Sequence, residues 1–371
     1  MLEHREQMRI HSIHGAERNR FLSYVCHLAV LAVAALTLAA FLIPMKGSHG
    51  GIDSHSRARF ADMVAGTAYK PFVYRTLLPV ATRMIATITP TQIQLDTRRF
   101  VQEHPLVHTA FDTLGWNTDV AYQYLVASLL MYICFIGFAY YCAKLAVTAS
   151  QIRNDPLILA FLALLALYLL PPFFSYVSYI YDPPQLCLFT ASLYYLSRLS
   201  IWRFMLFFLL ATLNKETSVL LIPMYAVFCR ASLPKRQYTS LLILLVSVFV
   251  AIKVLLFIQF YYNPGRFVTF HLVDHNLSPY TFLKIFSRSG YFAVLLAIAC
   301  WQWSQRPRFL RIALLFTLLP LVVLGMFLGY VDEWRGYYEA YPVVFALGVN
   351  FFYRLKGDFG KHADVLRQEQ S

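Results

Sequence analysis

Arg203-Phe-Met-Leu-Phe-Phe-Leu-Leu-Ala-Thr-Leu213-Asn214-Lys215-Glu216-Thr217-Ser-Val-Leu-Leu-Ile-Pro-Met-Tyr-Ala-Val-Phe-Cys229 is an apolar run with two opposite charges at its centre. A straight membrane-crossing helix through it would hold Lys215 and Glu216 in mid-hydrocarbon at a cost of several kcal/mol. The two arms, eleven and twelve residues long, are each too short to cross a hydrocarbon core about 30 Å thick. A pair of short helices meeting at Asn214–Thr217, with the turn facing a watery cavity, avoids both problems. The stretch therefore predicts a broken helix that enters and returns on one side.

Similar apolar runs fill the rest of the chain. Of the 371 residues, 58% are hydrophobic and 14% charged, against about 25% charged in soluble domains. The pattern predicts an all-α, polytopic transmembrane helical bundle with about eight full spans, at 21–45, 121–146, 156–176, 184–199, 239–261, 289–304, 309–329 and 337–353, besides the broken hairpin. The helices at 289–304 and 337–353 are expected to start inside the preceding loops. Residues 1–20 and 354–371 flank this single transmembrane domain, 21–353. The run after residue 20 is longer than the apolar core of a secretory signal and reads as a retained first span.

Orientation follows from the short loops. Lys144, Arg153, Arg198, Arg203, Arg230, Lys235, Arg236, Arg306, Arg308 and Arg311 fall on one side with Arg354, Lys356 and Lys361, whereas 171–184 has no Lys or Arg and 330–337 has only Arg335. The positive-inside rule places both termini in the cytoplasm, and a bacterial inner membrane is the expected location. The exception is the loop 46–120, with eight basic residues, because long loops translocate largely regardless of charge. Near 72–88 it carries helically spaced apolar residues and predicts a helix lying at the membrane interface. The net charge of +13 is spread over loops rather than gathered in a patch, which argues against a nucleic-acid partner. The six cysteines form no CxxC pair, so neither a zinc site nor a disulfide framework is indicated.

Four polar clusters fall on the outer side of this topology: Asp53 with Tyr74-Arg75, Tyr181-Asp182-Pro183-Pro184-Gln185, Asn214–Thr217, and Asp332-Glu333-Trp334-Arg335-Gly336-Tyr337. Each alone has an ordinary structural reading: a solvated loop Asp, a helix-capping Asp before prolines, or a surface ion pair. Lys253, inside the span 239–261, can snorkel. Their convergence on one face fits sugar transfer from a lipid phosphate. That reaction needs a carboxylate to take the acceptor proton, cations to stabilise charge developing on the departing phosphate, and an apolar groove for the lipid. Asp53 or Asp182 can supply the base, Arg75, Lys215 and Arg335 the cations, and Tyr74, Gln185, Glu216 and Glu333 further substrate contacts. No cofactor is firmly indicated. A divalent cation at His271, Asp274 and His275 is a weaker reading, since these also suit an interfacial loop. Asn276-Leu277-Ser278 is a glycosylation sequon followed by Pro279.

These features resemble the GT-C superfamily of multi-spanning glycosyltransferases, which use polyprenyl-phosphate-linked sugars on the outer or lumenal face. The likeness rests on the acidic first-loop residue Asp53, the Tyr74-to-Pro79 stretch, the Lys215-Glu216-Thr217 turn and Glu333-to-Arg335. It implies a GT-C-like fold, a polyprenyl-phosphate sugar donor, and a glycan, lipid or protein acceptor. It also implies a catalytic-base role for Asp53, although Ser54 follows where several such families have a second acidic residue. Two other readings compete. A polymerase or ligase of lipid-linked glycans would use the same chemistry on larger substrates. A transporter or flippase would show paired broken helices in repeated halves and polar residues at the midplane, and the sequence shows one broken helix and no repeat.

The topology predicts that single cysteines at Ser54 and Gly336 react with an impermeant thiol reagent on intact cells, and one at Ser232 reacts only after permeabilisation. The reverse pattern overturns the shared outer face.

Overall fold

The computed structural model describes residues 22, 24–43, 51–174, 177–266 and 270–369. The segment 1–20, and Gln370 and Ser371 of the expected tail, lie outside them. Among the described residues every regular element is helical. Five helices are long and apolar enough to cross a membrane, at Tyr24–Leu42, Thr118–Ala149, Pro156–Phe174, Lys235–Gln259 and Arg308–Leu328, which is consistent with a multi-pass membrane protein.

In chain order α1 is Tyr24–Leu42. The following connection carries α2 (Phe60–Ala65), α3 (Leu77–Ile88), α4 (Thr91–Glu103) and α5 (Pro105–Leu114). The bundle continues with α6 (Ala121–Ala149), α7 (Pro156–Tyr168), α8 (Asp182–Ser197), α9 (Ile201–Asn214), α10 (Leu221–Cys229), α11 (Lys235–Gln259), α12 (Pro279–Cys300), α13 (Arg308–Leu328) and α14 (Tyr341–Glu369).

Three expected spans differ in extent. α8 has 16 residues, roughly 24 Å at 1.5 Å per residue, and is shorter than the hydrocarbon core. α12 begins ahead of residue 289, inside the preceding loop as expected, and α14 runs on to Glu369 through the expected tail.

α8 is the centre of the bundle. Every residue from Asp182 to Leu193 is buried, as befits a helix without a polar face, and it packs on α6 and α9. A Cβ at Gly137 of α6 would lie 2.7 Å from Cys187 Sγ on α8. A glycine there lets the two helices approach closely, the way small residues act in membrane bundles. In contrast, the most apolar window of α11 is only 11% buried, as suits a lipid-facing helix. None of the six cysteines is bridged.

The broken helix is present and its arms fold back. The rings of Phe204 in α9 and Tyr225 in α10 stack with centroids 6.1 Å apart, whereas a continuous helix would separate them by about 30 Å. The chain leaves helical geometry at Lys215, which is extended at φ −155° and ψ 148°.

Helix α3 occupies the expected 72–88 region but starts at Leu77, because 72–74 form a tight turn and Thr76 is engaged elsewhere. Its inward face is Leu78, Pro79, Thr82 and Ala86, while Ile88 is exposed. The helices α4 and α5 were not foreseen in the 46–120 loop. α4 is largely polar and buries one residue, Val101.

The loop preceding α12 is pinned to the C-terminal end of α13. Asn276, only 4% exposed, donates from Nδ2 to the carbonyls of Gly325 (3.1 Å), Met326 (2.7 Å) and Gly329 (2.8 Å), and its Oδ1 accepts from Val331 N–H (3.1 Å). The sequon asparagine is thus a structural clamp. Asn276→Asp would turn a carboxylate toward those carbonyls and is expected to cost roughly 1–3 kcal/mol, read as a lower Tm in detergent. An unchanged Tm, or a glycan on Asn276, refutes the clamp.

Candidate functional site

A helix that stops inside a bundle strands its last carbonyls, and here other parts of the fold collect them. Lys215 N–H bonds Ala211 O at 2.8 Å. Lys253 Nζ donates to Thr212 O at 2.8 Å. Thr76 donates to Leu213 O through its N–H at 3.1 Å and its hydroxyl at 3.3 Å. Asn214 Nδ2 donates to Tyr181 O at 2.9 Å and Gln185 Oε1 at 3.2 Å. Gln185 Nε2 donates in turn to Thr217 Oγ1 at 3.2 Å. The break is thereby fastened to the loop before α3, to the start of α8 and to α11.

This fastening brings the polar clusters together around one cavity of about 1010 Å³. Its walls include His55 and Arg57 from the loop after α1, Arg75, Tyr179, Lys215–Thr217, Glu333 and Arg335–Tyr337. Leu321, Leu324 and Leu328 of α13 supply an apolar side. The ends of helices distant in sequence therefore meet at one polar chamber beside an apolar wall.

Three cations, Arg75 and Lys215 buried and Arg335 partly buried, are held there by carboxylates. Arg75 grips Glu216 in a two-pronged pair, Nη2 to Oε1 at 2.6 Å and Nε to Oε2 at 3.4 Å. Lys215 Nζ lies 3.2 Å from Glu339 Oε1, and the Thr217 hydroxyl bonds the same oxygen. Arg335 Nη2 lies 2.7 Å from Glu333 Oε2, and its Nη1 is 4.0 Å from Asp182 Oδ2.

Stacked tyrosines separate the two guanidinium groups. Arg75 sits over the Tyr181 ring at 4.2 Å and Arg335 over Tyr179 at 4.3 Å, while the two rings stack at 5.1 Å. Cation–π attraction of this kind is worth up to about 2 kcal/mol when desolvated. Phe72 extends the stack onto Tyr179 at 5.4 Å, and His55 leans on Phe72 at 5.1 Å. Burial, then Arg335 and Arg57, push the His55 pKa below its ordinary value, which favours the neutral imidazole. Its Nδ1 accepts Arg57 N–H at 3.3 Å, so Nε2 carries the proton.

The chain matches no protein-family model, and no curated protein or solved structure is significantly similar to it. The roles open to each residue are therefore those its geometry allows.

Of the residues singled out in the sequence, Arg75, Lys215, Glu216, Glu333 and Arg335 line the cavity, and Asp53, Tyr74, Asp182 and Gln185 do not. Both oxygens of Asp53 are engaged, Oδ1 by Phe60 N–H at 2.6 Å and Oδ2 by the Tyr124 hydroxyl. This carboxylate ties the first loop to α2 and α6. Asp182 is 1% exposed, accepts Tyr179 N–H at 3.2 Å through Oδ2, and leaves Oδ1 without a hydrogen-bond partner among the described residues. Gln185 is committed to Asn214 and Thr217, and Tyr74 packs edge-on against Phe260. At the weaker metal position, His271 pairs with Asp274 at 3.1 Å and His275 with Asp332 at 2.9 Å. No three His, Cys, Asp or Glu side chains converge for a metal among the described residues.

Sequence reading missed Glu339, Thr76 and His55. A signal for Glu339 was present: it is a carboxylate next to the apolar run of the last span, and such residues need a partner. Glu339 is fully buried, and breaking a buried ion pair on one side costs about 3–5 kcal/mol. Glu339→Gln is expected to lower the Tm steeply, and the double variant Lys215→Met, Glu339→Leu to recover much of the loss. A double variant no more stable than the single one refutes the pair.

Proposed function

We propose that this chain is a membrane glycosyltransferase of GT-C type that moves a sugar from a polyprenyl-phosphate donor to an acceptor at the outer face of a bacterial inner membrane. The observation carrying this reading is one cavity that joins Arg75, Lys215 and Arg335 to the apolar wall of α13, as an anionic head on an apolar chain requires. A topology of about eight spans with both termini in the cytoplasm, as the loop charges predict, suits the reading, because it would put the cavity on the outer side.

In this mechanism the donor phosphate enters against Arg75 and displaces Glu216 from its two-pronged pair. The guanidinium groups and Lys215 stabilise the charge that develops as the bond from sugar to phosphate breaks. Glu216, freed from Arg75, takes the proton of the attacking acceptor hydroxyl. Its side chain is 48% exposed, against 10% for Glu333 and 1% for Asp182. Reach to the reacting proton is the first requirement of a general base, and Asp53 is spent on Tyr124 and Phe60 N–H. Glu216 therefore takes the role that family resemblance gives to Asp53. Tyr179 and Phe72 offer faces for the sugar ring, and the Nε2–H of His55 offers a donor to its oxygens. A transporter finds less support, since the polar groups gather where helix ends meet and not along a central path.

Mass spectrometry of lipids co-purifying with the protein tests the donor: a polyprenyl-phosphate sugar is expected with wild type and Glu216→Gln, and is expected to be lost in Lys215→Ala. Bulk phospholipid alone in every preparation counts against the enzyme. With the identified donor, Glu216→Gln should lower turnover by about 10²–10⁴ while still binding donor. Should Asp53→Asn or Asp182→Asn show that pattern instead, with a native Tm, the base moves to that residue.

A further inference from the structure

One cation at the break has no part in the mechanism above. Lys253 lies less than two turns before the end of α11, the most lipid-exposed of the five long apolar helices. Its Nζ donates to Thr212 O at 2.8 Å and stands 5.7 Å from the centre of the Phe249 ring. The carbonyl is its one hydrogen-bond partner among the described residues, and an ammonium carries three N–H donors. The neighbouring stranded carbonyl, Leu213 O, is satisfied by neutral donors, the N–H and hydroxyl of Thr76. A neutral amide at position 253 would cap Thr212 in the same way, without the cost of a charge in a helix that faces lipid. A cation does suit the C-terminal end of α9, but a second requirement for the charge lies close by.

Thr76 and Lys253 bond successive carbonyls, so the loop before α3 and helix α11 meet the end of α9 side by side. Arg75, one residue before Thr76, grips Glu216, and the Lys253 ammonium acts on the same carboxylate from α11. Lys253 in turn feels Glu216 and Arg75. The other charges at this corner are engaged with different partners: Lys215 pairs with Glu339, while Arg335 and Tyr181 act on Arg75. Glu216 thus stands between two cations. When the donor phosphate takes Arg75, the first is withdrawn and a further negative charge arrives. A carboxylate in a chamber shielded from water, left without a cation, takes up a proton, and a protonated carboxyl cannot act as a base.

We propose that Lys253 is a positioning residue, the second counter-ion of Glu216, whose charge keeps this carboxylate ionised while Arg75 is occupied by phosphate. The step it serves rests on the transferase reading above. The pairing itself rests on the shared helix end and on the charge where a neutral cap would do.

The test follows protonated carboxyl groups by infrared difference spectroscopy on the full chain in detergent, with Glu216→Gln identifying the Glu216 band. Lys253→Gln keeps a donor for Thr212 O and removes the charge, and Lys253→Arg restores the charge. Arg75→Gln stands for the state in which phosphate holds Arg75. In that background, adding Lys253→Gln is expected to raise the pH at which Glu216 takes up its proton by at least about one unit, as loss of a nearby opposite charge does, whereas Lys253→Arg leaves it in place. No rise with Lys253→Gln reduces Lys253 to a cap of α9 and overturns the proposal. Farnesyl phosphate then probes the chain with Arg75 intact: at neutral pH its binding should leave Glu216 ionised in wild type and protonated in Lys253→Gln. Protonation of Glu216 in the wild-type complex overturns the proposal without recourse to any variant at position 253. If wild type does not bind farnesyl phosphate, the donor reading fails, and the titration in the Arg75→Gln background alone decides whether Lys253 is the counter-ion.

Discussion

The fold depends on what happens to the carbonyl groups stranded where α9 stops. In an apolar interior an unsatisfied carbonyl costs free energy comparable to a lost hydrogen bond, so a helix can end there only if distant parts of the chain supply donors. Lys253 on α11 and Thr76 before α3 do so, while Asn214 turns its amide onto the first turn of α8. The break is thus a junction through which the first loop, the central helix and the lipid-facing helix are registered against one another. Because Arg75 immediately precedes Thr76, the bond between Thr76 and Leu213 also delivers Arg75 to Glu216.

Once the junction is made, the charges near it are arranged by mutual need. A buried cation without a counter-ion would lose its proton or unfold its surroundings. Arg75, Lys215 and Arg335 each have a carboxylate in reach, and two of them also have a tyrosine face. The column of Arg75, Tyr181, Tyr179 and Arg335 keeps two guanidinium groups at fixed positions without letting them meet. Groups held in this way need no reorganisation when charge appears beside them, the condition under which electrostatic stabilisation of a transition state is most effective.

Much of this was legible in the sequence where a local rule was visibly broken. Lys215-Glu216 in the middle of an apolar run is such a violation, and it led to the hairpin. The loop asymmetry of Lys and Arg grouped the polar clusters, and residues of every cluster do line or support one cavity. Other features obeyed local rules while serving distant partners. Thr76 reads as an ordinary loop residue, and its bond to Leu213 spans 137 positions. Asn276 reads as a sequon, yet its amide is consumed by the end of α13. Helix α4 is polar overall and buries one side chain, so no long apolar run announces it in the sequence.

Asp53 and Glu216 show how a residue's position in a motif and its chemical availability separate. Both are carboxylates near the meeting point of the clusters, and a first-loop acid resembles the base of known sugar transferases. In this fold, however, Asp53 spends its two oxygens on a backbone N–H and the Tyr124 hydroxyl, which stacks its ring on Phe60 at 4.3 Å. Those bonds hold the loop from which His55 and Arg57 project. Glu216 is gripped by Arg75, with the Lys253 ammonium also acting on it. In the proposed mechanism the donor phosphate takes Arg75, so the carboxylate becomes available when the donor arrives and reactivity is coupled to occupancy.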